Sequence, residues 1–424
     1  MAIQDSSPLT EVLAPGLLER FERYVRVDTQ AVRDRTRSPS SAGQLDLARL
    51  LVTELEELGA GDVLLDDDGY VTATLEATVD PAPTIGLVAH MDVSPDAPGF
   101  GVEPIVHRGY DGSVLELPRG GTVLDPERIP ALRGVVGHDL VTSSGDTLLG
   151  ADDKAGVAEI MTALAHLAAH PELPRPRVRV CFTPDEEIGE GATLFDVEGF
   201  GAHCAYTLDG SKLGELQDET FTASEVTLTF AGVDIHPGTA KGVMVNALRL
   251  AARTIAALPD GLSPEETEGR EGFVHPHTLE GDAARAVLTS IVRDFDDDRL
   301  AEHAALLERL AREQVDAAPG ARLEVEVKAQ YPNMRTYLEP YPEVVAAAEV
   351  ALREGGIEPV RTPIRGGTDG SVLSARGLPT PNLFTGGHEY HSVREWASLQ
   401  EMAAAAATVV RLAEVWTRPG FVER

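Results

Sequence analysis

Carboxylate and imidazole side chains recur in this sequence where apolar runs stop. The stretch 148–156, Leu-Leu-Gly-Ala-Asp-Asp-Lys-Ala-Gly, sets adjacent carboxylates where an apolar run passes into a helical pattern. Asp152 there has two readings. A carboxylate has two oxygens and can bridge cations roughly 3.5 to 4 Å apart, the spacing of two-metal hydrolases; an aspartate at a helix start is also a common N-cap. The motif by itself favours the cap, so the other ligands have to come from elsewhere in the chain. Four further run ends offer them: His90 with Asp92, Glu186 with Glu187, Asp209, and the loop 386–391 with its two histidines. A single residue of this kind is ordinarily a cap or hydrogen-bond partner. Four at corresponding positions, together with Asp152, point to a metal centre, because ligands of open α/β sheets sit beyond the carboxyl ends of the strands.

The spacing within the pairs suggests a division of labour. His90 and Asp92 are two apart and lean the same way in extended backbone, so Asp92 can fix the tautomer of a liganding His90 and raise its basicity. Glu186 and Glu187 are neighbours and cannot both aim alike. One can bind a metal while the other reaches the attacking water, which is the division hydrolysis needs; an exposed acidic turn is the alternative.

The elements that would carry these groups follow from periodicity. Residues 17–27 and 42–58 have helical spacing, and 63–65 with 70–75, separated by Asp-Asp-Asp-Gly, read as a hairpin. Residues 84–89 are apolar enough for a central parallel strand, 155–169 form a buried helix, and 177–183 and 205–208 give further strands. Beyond residue 215 the pattern changes. Strands at 225–230, 286–293 and 323–327 alternate with helices at 243–258 and 299–315, which suggests an α+β sandwich inserted into an α/β domain. The first pattern resumes with a helix at 342–354, a strand at 380–385 and a closing helix at 398–415. The expected division is 1–217 and 332–424 for the α/β domain, with 218–331 inserted.

Composition narrows the function classes. A chain of 424 residues exceeds one core. A formal net charge of −33 opposes a phosphate backbone and argues against a nucleic-acid partner. Cys181 and Cys204, the only cysteines, sit in apolar runs and read as buried free thiols of a reducing compartment. Residues 1–15 show no basic region followed by an apolar core, and no apolar run reaches about 18 residues, so no membrane contact is expected and the location is expected to be cytoplasmic.

Five stretches carry a family resemblance: Ala89-His90-Met91-Asp92; residues 148–156; Phe182-Thr183-Pro184-Asp185-Glu186-Glu187-Ile188-Gly189; Ile235-His236-Pro237-Gly238-Thr239-Ala240-Lys241-Gly242; and Ile364-Arg365-Gly366-Gly367-Thr368-Asp369-Gly370. Together they resemble the peptidase T family of tripeptide aminopeptidases, within the dizinc aminoacylase/carboxypeptidase-like metallopeptidase superfamily. The likeness spans nearly the whole chain, loosely over 259–281. It implies a zinc-peptidase domain with a mixed, largely parallel sheet flanked by helices, and an inserted lid that also dimerises. It implies two Zn2+ per subunit, one held by His90, Asp152 and Asp209, the other by Asp152, Glu187 and His391. His391 is preferred to His388 because the family's ligand follows the Gly-Gly pair at that position. Glu186 is then the general base, and Asp92 orients His90.

The implied substrate is a short peptide with a free N-terminus, met by His236 from the partner of a homodimer and by Arg365, Gly366 and Gly367, which could hold its carboxylate. Read from sequence alone, His236 is a turn residue, and Arg365 followed by two glycines is either a carboxylate-holding fork or a surface loop arginine. The nearest alternative is a related dizinc amidase, a deacylase of N-acyl amino acids or a carboxypeptidase. An inactive metal-binding scaffold is the alternative from another class, but it would not need Glu186.

Overall fold

The strand at the heart of the sequence pattern is buried on both faces. In the computed structural model, which describes residues 8–421, all six residues of Ile85–His90 are buried, as a central parallel strand requires. The outermost parts of the expected segments 1–217 and 332–424, and of the leader-free reading of residues 1–15, lie outside the described residues. Ile85–His90 pairs in parallel with Val178–Thr183 on one side and Cys204–Gly210 on the other. The eight-stranded sheet runs Gly61–Leu65, Val71–Leu75, Val178–Thr183, Ile85–His90, Cys204–Gly210, Asn382–Phe384, Glu215–Gln217, Val360–Arg361. Its centre is parallel. The hairpin edge and the Glu215–Gln217/Asn382–Phe384 pair are antiparallel, which gives the mixed, largely parallel sheet the sequence implies.

Helices close one face of this sheet. Leu17 and Phe21 of Pro8–Val25, Ile160 and Leu164 of Ala151–Ala169, and Val409 and Leu412 of Leu399–Val415 share one core with Leu87, Val180 and Leu208 of the strands. Gly156 lets the helix Ala151–Ala169 come close, since a Cβ there would stand 2.0 Å from the Leu208 carbonyl oxygen. That approach sets the helix start beside the strand that carries Asp209. A smaller sheet, Gly387–His388, Trp396–Ser398, Leu140–Thr142 and Ile105–His107, joins part of the stretch 94–145, rich in Gly and Pro, to the 386–391 loop.

The chain divides into two compact units: Met1–Asp218 with Met334–Thr362 and Thr368–Arg424, and Glu219–Asn333 with Pro363–Gly367. The second unit has its own four-stranded antiparallel sheet, in the order Phe273–Gly281, Arg285–Asp294, Thr222–Ala231, Arg322–Tyr331. Burial alternates along Thr222–Ala231 and Arg285–Asp294, and their inner residues Leu228, Phe230, Leu288 and Val292 pack with Leu250 and Leu307 of the helices Ala247–Ala256 and Asp297–Asp316. Phe273–Gly281 has no counterpart in the sequence reading. It contains Pro276 and a register shift against its neighbour, features that an edge strand tolerates and that hide it from a periodicity scan. No helix among the described residues is long and apolar enough to cross a membrane.

Candidate metal centre

The first unit brings the strand-end residues together at one end of the central parallel strands. His90 ends its strand and pairs with Thr183, the last residue of Val178–Thr183, so the turn carrying Glu186 and Glu187 leaves beside it. Asp209 lies at the same end of Cys204–Gly210. Asp152 stands at the start of Ala151–Ala169, where its φ/ψ is not helical and its peptide bond to Asp153 is cis. His391 has a positive φ of 59° in the loop after Gly387–His388.

Asp152 joins two groups of side chains. Its Oδ1 lies 3.0 Å from His90 Nε2 and its Oδ2 3.1 Å from His391 Nε2. Asp209 Oδ1 is 3.7 Å from the same His90 nitrogen, and Glu187 Oε2 is 3.0 Å from the same His391 nitrogen. Ligand-capable atoms of His90, Asp152 and Glu187 lie within 4.8 Å of one another, and so do those of His90, Asp153 and Asp209. Asp153 is otherwise engaged: its oxygens accept the backbone N–H groups of His90 at 3.1 Å and Gly156 at 3.2 Å. His388 is turned away as well, since its ring hydrogen-bonds Glu401 at 2.9 Å and stacks on Trp396 with centroids 4.0 Å apart.

The acids flanking this cluster differ in what they touch. Asp92 Oδ1 is 3.4 Å from His90 Nδ1, but that nitrogen is closer, at 3.1 Å, to the Asp92 carbonyl oxygen. The principal partners of the Asp92 carboxylate are the backbone N–H groups of Glu186 and Glu187, at 3.0 and 3.1 Å. Glu187 keeps Oε1 buried without a partner. Among the described residues the Glu186 carboxylate has no hydrogen-bond partner, although it is only half-buried.

Two supporting residues escaped the sequence reading. Glu395, 1% exposed, accepts the N–H groups of Leu149 (2.7 Å), Gly150 (2.8 Å) and Asp152 (3.0 Å). Asp185, fully buried, accepts from the Ser40 backbone N–H and the Gln44 side chain, both at 2.7 Å. Neither sits in a pattern visible along the chain; only the acidic run 185–187 hinted at Asp185.

The electrostatics are those of a cation site. Burial alone would lower both imidazoles. Hydrogen bonds to Asp152, Asp209 and Asp92 instead raise His90 well above the ordinary value, and Asp152 and Glu187 raise His391 to about 11. Burial raises Glu186, and it lifts Glu187 to about 8 and Asp209 to about 6, with the Asp152 charge adding to both. Asp152 moves the other way. Burial opposes its ionised form, but hydrogen bonds from His391 and His90 hold it below the ordinary carboxylate range. Three carboxylates and two imidazoles converge, one carboxylate oxygen is buried and unsatisfied, and positive charge is what the group lacks. This oxygen and imidazole donor set fits a pair of Zn2+ ions.

The remaining expected site residues belong to the second unit. His236 is exposed in the turn that starts Pro237–Thr239, and its Nδ1 accepts the Gly238 N–H at 3.1 Å, which leaves Nε2 to carry the proton of the neutral ring. Arg365 is not a free fork. Its terminal nitrogens donate to Thr267 O, Thr267 Oγ1, Gly269 O and Glu271 O at 2.7–3.2 Å, and the guanidinium lies over Phe221 and Phe273. Gly366 and Gly367 keep their backbone N–H groups without a partner among the described residues.

Comparison with known proteins gives the family. Residues 148–415 match the model of peptidase family M20/M25/M40. The chain is 48% identical over 400 residues to Peptidase T of Shouchella clausii, covering 94% of this chain and 98% of that one. Its fold is similar to the crystal structure of aminopeptidase PepT from Bacillus cereus, with a TM-score of 0.76 at 25% identity over 96% and 99% of the two chains. A tripeptidase from Staphylococcus aureus shares the fold, with the same TM-score and coverage at 23% identity.

Proposed function

Because the chain belongs to peptidase family M20/M25/M40, we infer that it is a metallo-aminopeptidase removing the N-terminal residue of short peptides, tripeptides above all. The observation that carries the chemistry is Asp152, with one oxygen toward His90 and the other toward His391. His90, Asp152 and Asp209 would hold one Zn2+, and Asp152, Glu187 and His391 the other. When bound, the pair polarises the scissile carbonyl and lowers the pKa of the attacking water. Similarity to Peptidase T along nearly the full chain leaves a deacylase or a scaffold without support.

The chain's own residues do the rest. Glu187 is committed to the ligand cluster and Glu186 is not, so Glu186 takes the proton of the attacking water and passes it to the leaving amine. Asp92 serves both ends of the site: it stands beside His90 and fixes the turn from which Glu186 and Glu187 diverge. The substrate carboxylate meets the free N–H groups of Gly366 and Gly367, a pairing backbone donors favour. Arg365 contributes by bracing their loop against residues 267–271, not by a direct bond to substrate. The second unit acts as lid and homodimer contact, and its His236 donates Nε2–H to the oxyanion formed in the partner's site. Hydrolysis of a free tripeptide, the matching dipeptide, a tetrapeptide and an N-acetylated tripeptide, with and without added Zn2+, tests the reading. It requires a free amino group, zinc dependence and a preference for the tripeptide; equal turnover of the N-acetylated peptide would overturn it.

A further inference from the structure

We propose that Asp96 is a positioning residue for His391: its carboxylate, through contact with Nδ1, fixes the imidazole whose Nε2 faces Asp152 and Glu187. Asp96 Oδ2 lies 3.4 Å from His391 Nδ1, the same separation as Asp92 Oδ1 from His90 Nδ1. The stretch 92–96, leaving the strand Ile85–His90, thus supplies a carboxylate to the far nitrogen of each histidine in the cluster. A liganding imidazole that donates its other N–H to a carboxylate has its tautomer and orientation fixed and its basicity raised.

His391 needs this more than His90 does. The His90 side chain is 2% exposed and its Nδ1 also meets a backbone carbonyl. The His391 side chain is 41% exposed, on a loop where both His391 and Glu389 adopt positive φ. Asp96 is well placed to supply the restraint. Its other oxygen accepts from Arg33, and its N–H donates to Ser94 Oγ at 3.3 Å. The loop that carries it is pinned from two sides: Gln30 Nε2 donates to the Ser94 and Ala97 carbonyls at 2.9 and 2.6 Å, and Leu148 N–H to the Pro98 carbonyl at 2.8 Å. The carboxylate, 50% exposed on its side chain, is held by Arg33 at one oxygen, its loop by Gln30 and Leu148, and its remaining oxygen faces the imidazole.

The inference rests on the dinuclear reading above, and one titration separates the two. Metal-free wild type, Asp96→Asn, Asp96→Ala and Glu389→Gln are titrated with Co2+, with uptake followed by the visible absorption of the bound ion, and the metal-free proteins are melted. Glu389→Gln removes a like charge two residues from His391, on a side chain that pairs with Arg394 at 3.4 Å. Wild type takes up two ions. Both Asp96 variants bind one equivalent as wild type does and the other roughly 10- to 100-fold more weakly, with unchanged metal-free melting, while Glu389→Gln follows wild type. Two ions in wild type with unchanged affinities in both Asp96 variants overturn the inference alone. Equal weakening of both equivalents, or the same loss in Glu389→Gln, also overturns it, because that is bulk charge and not contact with the ring. A wild type that binds fewer than two ions overturns the dinuclear reading and this inference together.

Discussion

Asp92 Oδ1 accepts the backbone N–H of Glu186 at 3.0 Å. Its second oxygen takes the N–H of Glu187 at 3.1 Å, so one carboxylate fixes the backbone at the point where two glutamate side chains separate. One of them reaches His391 and the other has no hydrogen-bond partner among the described residues. The backbone clamp therefore fixes the point from which the two side chains diverge, one of them toward His391.

Glu186→Gln should keep both metal ions and lose about 10² to 10⁴ in turnover, the usual worth of a positioned base. Glu187→Gln should lose one ion. Metal analysis beside tripeptide hydrolysis separates them; an ion missing from Glu186→Gln but retained in Glu187→Gln would exchange the two roles.

Asp152 faces both histidines of the cluster, one with each oxygen. Asp152→Ala should release nearly all the metal, whereas His90→Ala and His391→Ala should each mainly empty one site. Chelator titration distinguishes these patterns. Retention of both ions by Asp152→Ala would reduce the residue to a helix cap.

The side chains gathered at the centre were legible in the sequence; of the groups that hold them, Asp92 was and Glu395 was not. His90, Asp152, Glu186, Glu187 and Asp209 stand where apolar runs end, and parallel pairing such as His90 with Thr183 turns that linear regularity into convergence. Glu395 and Asp152 are joined across 243 residues by a hydrogen bond to a backbone N–H, which leaves no trace in side-chain spacing. Arg365 shows the converse. Its type suggests carboxylate binding, but the acceptors at Thr267, Gly269 and Glu271 that claim its guanidinium come from the region where neither periodicity nor resemblance was strong.

Glu395→Ala should uncover how much the Asp152 position depends on its clamp. Three backbone donors lose their acceptor, at about 1–3 kcal/mol for each buried group left unsatisfied, so the metal-free protein should melt several degrees lower. Glu395→Gln, which keeps one acceptor oxygen, should fall between. Metal affinity should drop in the same order; melting equal to wild type in Glu395→Ala would show that the clamp is not needed.

Glu159 gives a pH-dependent prediction away from the chemistry. It is fully buried in Ala151–Ala169 with both carboxyl oxygens unpartnered, and burial raises its pKa well above the ordinary 4.5. A carboxyl whose folded-state pKa is raised costs nothing below the unfolded value. It removes stability as pH rises above about 4.5, where the unfolded chain ionises and the folded one resists. Glu159→Gln should therefore gain stability relative to wild type with increasing pH. The unpaired amide costs the same at every pH, so the slope of the difference in melting temperature is diagnostic. A difference independent of pH from 5.5 to 8.5 would mean that Glu159 ionises freely in the folded protein.

The last prediction concerns His236, exposed in its turn, whose Nδ1 accepts the Gly238 N–H and leaves Nε2 as the ring's donor. A donor to the oxyanion is worth about 3 to 4 kcal/mol, or roughly 10² to 10³ in rate, when deleted. His236→Ala should accordingly fold, bind both metal ions and be nearly inactive. If the donor comes from the other subunit, the defect can be complemented. Each site of a two-fold dimer would combine a base from one chain with a donor from its partner, so a hybrid of His236→Ala with Glu186→Gln holds one complete site and one doubly defective site. Equal mixing with full subunit exchange makes half the dimers hybrid, and activity should return to about a quarter of wild type. Exchange must be verified independently, by mass or by differently tagged chains. Activity that stays at the level of the separate variants in verified hybrids would mean that His236 serves its own chain or takes no part in catalysis, and that each subunit carries a complete site.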